Sequence, residues 1–190
     1  MSATETTGQP VPVDLGTLLT SRIRDVPDYP RAGVVFKDIT PLLADAAAMT
    51  ALVEALAALA VRHQVDKVVG LEARGFILAA PVAVRADVGF VPVRKAGKLP
   101  GECLSQAYAL EYGTAEIEVQ RDAFLPGERV LVIDDVLATG GTAEASVELV
   151  RRAGAEVAAL AVLMELAFLQ GRTRLETVLA GAPLEALVTV

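Results

Sequence analysis

The chain has 190 residues, 53% of them hydrophobic, and a formal net charge of −7. This is enough apolar material for a substantial core in one domain, yet no run reaches the ~18 apolar residues that a membrane span needs. The acidic balance argues against general nucleic-acid binding, whose usual footprint is a basic face, but leaves room for an anionic small ligand that answers only to local charge.

Residues 1–13 are polar, lack the basic start and apolar run of a secretory signal, and read as a disordered arm. Leu15, Leu18, Leu19 and Ile23 lie at helical spacing and predict a helix over 15–24, with Asp14 as N-cap. Pro27, Pro30 and Gly33 break it, and Val34-Val35-Phe36 reads as a short extended run. Asp45 can cap a longer helix whose apolar stripe is Met49, Leu52, Val53, Leu56, Leu59 and Ala60. His63, the one histidine, falls at the polar end of that helix and reads as a surface residue. A strand near 65–71, a helix from about Gly75 and a strand near 88–94 come next; Pro81 predicts a kink or a later helix start. Residues 95–116 show little regular pattern and read as a long loop suited to a lid. Strands are then expected at 117–120, 129–134 and 155–166, with a helix ending near Arg152 and Gly154 between the last two. The alternation of buried aliphatic strands with helices predicts an α/β fold, a mainly parallel sheet flanked by helices. Cys103, the one cysteine, has no internal partner, which fits a reducing cytoplasm.

The densest signal is VLVIDDVLATGGT at 130–142. Here an aliphatic strand runs into two carboxylates, Asp134 and Asp135, followed by Ala138-Thr139-Gly140-Gly141-Thr142 and a helical pattern. A glycine-rich turn at a helix N-terminus offers free N–H groups and the positive end of the helix dipole to an anion. Thr139 and Thr142 add hydroxyl donors, and glycine lets the backbone approach a phosphate. No lysine follows the glycines, so this is not a Walker A loop. A phosphate cradle beside two carboxylates suits a sugar phosphate whose hydroxyls need acceptors. The stretch resembles the 5-phosphoribosyl-1-pyrophosphate (PRPP) motif of type I phosphoribosyltransferases.

Three other segments carry chemistry. Glu72-Ala73-Arg74-Gly75-Phe76 puts charge at the end of a predicted strand, where ligands bind in open α/β sheets, although a surface ion pair would look the same. Arg94, Lys95 and Lys98 cluster in a glycine-bearing loop suited to neutralising a pyrophosphate. Tyr108-Ala109-Leu110-Glu111-Tyr112-Gly113 lies in the expected lid, which would keep water from an activated sugar.

Taken in order, VPDYP-AGVVFKDIT (26–40), VVGLEARGF (68–76), VPVRKAGKLPGE (91–102), YALEYG (108–113) and the 130–142 stretch are similar to the adenine phosphoribosyltransferases over about residues 22–170. The resemblance implies a type I phosphoribosyltransferase fold in a single domain over 14–190, with a small N-terminal hood at about 14–40 and a flexible lid loop at about 95–116. It implies that adenine and PRPP give AMP and pyrophosphate in a cytoplasmic homodimer, with Mg²⁺ held mainly through PRPP and water rather than by direct protein ligands. Neither nucleic acid nor a membrane is an expected partner. Residue by residue, 138–142 would hold the 5-phosphate, and Asp134 and Asp135 the ribose hydroxyls near the forming cation. Arg74, Arg94, Lys95 and Lys98 would hold pyrophosphate, and Glu111 would act as acid or base on the attacking nitrogen. The Val35 carbonyl and the Lys37 N–H would read adenine. In that family the peptide bond before the middle residue of the 72–76 segment is often cis without proline. A 6-oxopurine enzyme is the first alternative, but the ELAFLQGR segment lacks the lysine such enzymes use. A non-catalytic PRPP-sensing regulator is the second, but the arm before residue 14 is too short for a DNA-binding domain.

Overall fold

The structure, a computed structural model, describes residues 14–109 and 113–190. They form two compact units, one up to Met49 and one from Thr50 to Val190.

In the first unit, α1 (Leu15–Thr20) is capped by Asp14, whose side chain accepts from the Thr17 N–H. The helix ends earlier than predicted. The Ser21 hydroxyl bonds back to the Leu18 carbonyl, and the chain then enters β1 (Arg24–Pro27), an unpredicted strand. β1 pairs antiparallel with β2 (Val35–Asp38) as a two-stranded sheet. Between them, a cis Tyr29–Pro30 bond and Gly33 at φ +83° reverse the chain, and the Gly33 N–H donates to Asp28 Oδ1 at 2.8 Å. A short α2 (Thr40–Ala44) follows, and then α3 (Ala46–Arg62), which begins in this unit and continues into the second. Asp45 Oδ1 caps α3 by accepting from Ala47 and Ala48, each at 3.0 Å. Of the predicted stripe, Leu52, Leu56, Leu59 and Ala60 are buried, while Met49 and Val53 are half-buried.

The second unit is built on a seven-stranded sheet in the order β5-β6-β4-β3-β7-β8-β9. β3 (Lys67–Leu71), β4 (Gly89–Lys95), β7 (Arg129–Leu137), β8 (Glu156–Glu165) and β9 (Leu184–Thr189) run parallel. Val68, Val69, Leu131, Ile133, Leu160 and Leu163 are buried. Such strands are covered on both faces, which is why they read as continuous aliphatic runs. α4 (Arg74–Ala86), α5 (Gly141–Arg152) and α6 (Gly171–Leu179) are the helices that follow β3, β7 and β8. Pro81 neither delays nor interrupts α4. It removes the donor to the Ile77 carbonyl, a loss that water can make good where Ile77 is exposed. Among the described residues, no helix is long and apolar enough to cross a membrane.

Three expectations need correction. Residues 95–116 are not an irregular loop: β5 (Cys103–Ala109) and β6 (Thr114–Gln120) pair antiparallel, and β6 pairs with β4. β5 is half-buried or exposed along its whole length, so it has no sharp alternation to reveal it; its order comes from β6 and from Arg152 of α5, which donates to the Ser105 carbonyl. His63 is not a free surface residue, since its ring is largely buried and lies 3.4 Å from Glu185 Oε1. β9, α6 and the 3₁₀ turn at Ala167–Leu169 follow β8, where the sequence had suggested no element.

Candidate functional site

The C-terminal ends of β3, β4 and β7 open into one cavity of about 360 Å³, within the usual size of a small-molecule site. Its wall includes Glu72, Ala73 and Arg74 after β3, Lys95 at the end of β4, Tyr108 of β5, and residues 134–143.

Gly140 adopts φ +82° and is the N-cap of α5 without any side-chain capping bond. The first N–H groups of the helix are therefore available beside the cavity, which Gly140, Gly141, Thr142 and Ala143 all line. Only glycine fits at 140, because a Cβ there would lie 2.9 Å from the Gly171 carbonyl. Gly171, at the start of α6, braces the loop; no motif marked it. Glu144 puts a negative charge in the first turn of α5, but Arg174 Nε engages it at 2.6 Å.

Asp134 and Asp135 lie within β7, not beyond it, because pairing with β8 continues to Leu137↔Glu165. The Asp135 N–H donates to Asp134 Oδ1 at 2.8 Å. Gly75 allows α4 to pack on this strand end: a Cβ there would be 2.9 Å from the Ile133 carbonyl and 3.0 Å from Asp134 Oδ1. Burial, then the negative charge of Asp135, push the Asp134 carboxyl well above the ordinary range. Arg74 Nε lies 2.9 Å from Asp135 Oδ2, close enough for charge attraction, yet among the described residues that buried oxygen receives no hydrogen bond. An oriented, buried and unsatisfied acceptor is costly unless a ligand donates to it.

Glu72 and Arg74, two residues apart in sequence, turn to different partners. Glu72 Oε2 accepts from the Lys95 N–H at 2.9 Å and lies 3.3 Å from Arg94 Nε. The Lys95 bond, with Arg94 behind it, holds its carboxyl below the usual range despite burial. A cis bond without proline is present in this segment, at Glu72–Ala73, one bond before the expected place. Of the four predicted pyrophosphate cations, Arg74 and Lys95 line the cavity. Arg94 is turned to Glu72 and to the Lys98 carbonyl, and neither Arg94 nor Lys98 is in the wall. Sequence reasoning missed Glu118. This buried carboxylate on β6 accepts from the N–H groups of Gly97, Lys98 and Leu99 at 3.0, 2.8 and 2.7 Å and so shapes the cation loop. Burial pushes the Glu118 carboxyl up, but those three donors outweigh it and the net direction is down. A glutamate between Ile117 and Val119 gives no sequence signal for that role.

Val35 and Lys37 lie on β2 of the first unit. Pro27 has no N–H, so Pro27↔Val35 is a non-hydrogen-bonded pair, and by alternation so is Asp25↔Lys37. The N–H and C=O groups of Val35 and Lys37 therefore point away from β1, towards an edge that no described strand occupies. The Lys37 side chain is held elsewhere, with Nζ 2.8 Å from Asp25 Oδ1. Glu111 lies outside the described residues. Among the described residues, no cluster of three or more potential ligands could hold a metal.

Residues 42–177 match the family model for the phosphoribosyl transferase domain. An adenine phosphoribosyltransferase of Streptomyces coelicolor is 73% identical over 179 residues, covering 94% of this chain and 98% of that one. One from Thermobifida fusca is 58% identical, covering 93% and 98%. Among solved structures, adenine phosphoribosyltransferase from Rhodothermus marinus superposes with a TM-score of 0.86 at 49% identity, covering 93% of this chain and 98% of that one. The Saccharomyces cerevisiae enzyme, complexed with adenine and an imino-altritol bisphosphate, superposes at 0.85 with 37% identity, covering 91% and 98%.

Proposed function

We propose how this pocket works on the footing that the chain belongs to the phosphoribosyl transferase family and, within it, to the adenine phosphoribosyltransferases. The enzyme transfers the 5-phosphoribosyl group of PRPP to adenine, giving AMP and pyrophosphate, a reaction of purine salvage. The observation that supports the assignment of the pocket best is Asp135 Oδ2, a buried acceptor without a hydrogen bond from the described residues, in one wall with an uncapped glycine-rich helix start.

In our reading the 5-phosphate takes the N–H groups of 138–142 and the hydroxyls of Thr139 and Thr142. Asp134 and Asp135 accept from the ribose hydroxyls. Breaking the C1′–O bond to pyrophosphate leaves positive charge on the ribose and negative charge on the departing group. The two carboxylates face the first, and Arg74 and Lys95 the second, with Lys98 and Arg94 joining them when the loop that Glu118 holds is engaged. The new bond forms from an adenine ring nitrogen to C1′, and Glu111 takes the proton that nitrogen sheds. The Val35 carbonyl accepts from the exocyclic amine of adenine, and the Lys37 N–H donates to N1. Mg²⁺ would be held mainly through PRPP and water, with Asp134 and Asp135 as the carboxylates of the cavity wall nearest to it, and would supply charge neutralisation for the leaving pyrophosphate.

We further propose that residues 14–40 serve as a hood and 95–116 as a lid within one functional domain. Ile77 and Val84 sit seven residues apart on one exposed face of α4, with Phe90 also exposed, which supports a homodimer. Light scattering that finds a fully active monomer would reject it. A single cysteine fits a cytoplasmic enzyme. The reaction is tested by incubating the protein with PRPP, Mg²⁺ and each purine base and detecting mononucleotide. AMP from adenine alone is expected; equal turnover of hypoxanthine or guanine, or none of any base, overturns the assignment.

A further inference from the structure

Tyr108, near the end of β5, is half-buried, packs against the core cluster of the second unit and lines the cavity. The Thr142 hydroxyl donates to the Tyr108 hydroxyl at 3.4 Å. The tyrosine ring also covers the start of α5: a Cβ on Gly141 would be 3.7 Å from Tyr108 Cδ2 and 3.5 Å from the Ala109 carbonyl. β5 and α5 run past each other in opposite directions. At the far end, Arg152 donates to the Ser105 carbonyl at 2.9 Å and to Gln106 Oε1 at 2.6 Å. One strand is thus fastened to both ends of one helix, and its tyrosine is the fastening at the phosphate loop.

Building on the assignment of 138–142 to the 5-phosphate, we propose that Tyr108 is a positioning residue for the 5-phosphate of PRPP and AMP, acting through Thr142. A threonine hydroxyl has one proton to donate and two lone pairs. The two hydroxyls lie 3.4 Å apart, long for such a pair, so the bond between them is weak. An anionic phosphate oxygen is the stronger acceptor, so Thr142 turns its O–H to the phosphate. Tyr108 then donates its own O–H to the Thr142 oxygen. No proton changes owner; two hydroxyl rotors reverse. The resulting chain, tyrosine to threonine to phosphate, fixes the orientation of the threonine and polarises its O–H bond towards the ligand. Arg152 keeps the strand in place so that the tyrosine remains within reach. Phenylalanine at 108 would preserve the packing and remove only this effect.

The test is calorimetric titration of wild type, Tyr108→Phe, Thr142→Val and the double variant with two probes: ribose 5-phosphate, which carries the 5-phosphate, and pyrophosphate with Mg²⁺, which does not. Tyr108→Phe is expected to bind ribose 5-phosphate roughly five- to tenfold more weakly, the loss of one hydrogen bond, with pyrophosphate binding within about twofold of wild type. In the Thr142→Val background the tyrosine substitution should add nothing, because the residue it acts through is already gone. A loss of about threefold or less, an equal loss for pyrophosphate, or two losses that multiply in the double variant overturns the relay. If Thr142→Val alone leaves ribose 5-phosphate binding unchanged, the assignment of the Thr142 hydroxyl to the 5-phosphate, on which the relay rests, fails as well. That outcome is distinct from a normal loss in Thr142→Val with none in Tyr108→Phe.

Discussion

Replacing Lys37 by alanine should leave the choice of base intact, because the structure turns the side chain and the backbone of this residue to different tasks. The ammonium group pairs with Asp25, whose side chain is 57% exposed, so the ion pair is worth at most ~1 kcal/mol. For a chain of this size its loss lowers the thermal midpoint by about 2–4 °C at most. The N–H remains on the open edge of β2, since only Phe36 and Asp38 use their backbone groups on β1. Adenine offers a donor at its exocyclic amine and an acceptor at N1, matching a carbonyl and an N–H. Hypoxanthine reverses both, so two hydrogen bonds become two contacts between like groups at ~1–3 kcal/mol each. The sum, ~2–6 kcal/mol, is a preference for adenine of roughly 30-fold to more than 10⁴-fold in kcat/KM. Lys37→Pro is the complementary variant. It deletes an N–H that no ladder bond uses, so it should fold while losing about 5- to 100-fold in kcat/KM for adenine. The assay is initial-rate formation of AMP and IMP across a concentration series of each base. A Lys37→Ala enzyme whose preference falls more than about tenfold, or that uses hypoxanthine as readily as adenine, shows that the side chain selects the base and refutes the backbone argument.

Asp134→Asn should slow AMP formation by more than about tenfold while stabilising the fold at high pH. Because the folded carboxyl titrates above the ordinary value of 3.8, its contribution to stability is complete below that value and declines as pH rises towards the folded value. The midpoint of the variant relative to wild type should therefore be near zero at acid pH and grow on going to neutral pH; a difference independent of pH would contradict the burial argument. Gly140→Val forces a side chain towards the Gly171 carbonyl at a positive φ and should cost about 1–3 kcal/mol in stability, with a large loss of PRPP affinity. Thr142→Ala should weaken PRPP about fivefold by calorimetry. Unchanged affinity in both would remove the loop from the site. Glu118→Gln should lower the thermal midpoint by about 3 °C or more at neutral pH and loosen the cation loop. Its folded carboxyl titrates below the ordinary value, so its contribution is present above that value and fades as pH falls through the folded one. A midpoint deficit that persists unchanged in acid would show that shape, not charge, holds the loop.

The sequence by itself determined the aliphatic strands β3, β7 and β8, the Asp45-capped helix, and the phosphate loop with its two acids. Each of these is local in its physics. A strand covered on both faces must be apolar throughout, a cap needs a short side-chain acceptor next to its helix, and a backbone that approaches a phosphate needs glycine at a fixed place. Only the tertiary structure decided what depends on partners distant in sequence. β5 is a strand because β6 and Arg152 hold it, although its own residues carry no strong period. Glu118 shapes a loop some twenty residues away, and Gly171 braces Gly140 from the next helix. Which cations face the cavity was likewise a matter of pairing: Arg94 is drawn to Glu72 and Arg74 to Asp135, although charge alone made them equivalent. Glu118 and Glu72 find their donors on segments some twenty residues away, whereas Asp135 Oδ2 is left for a ligand, and no local pattern records either arrangement.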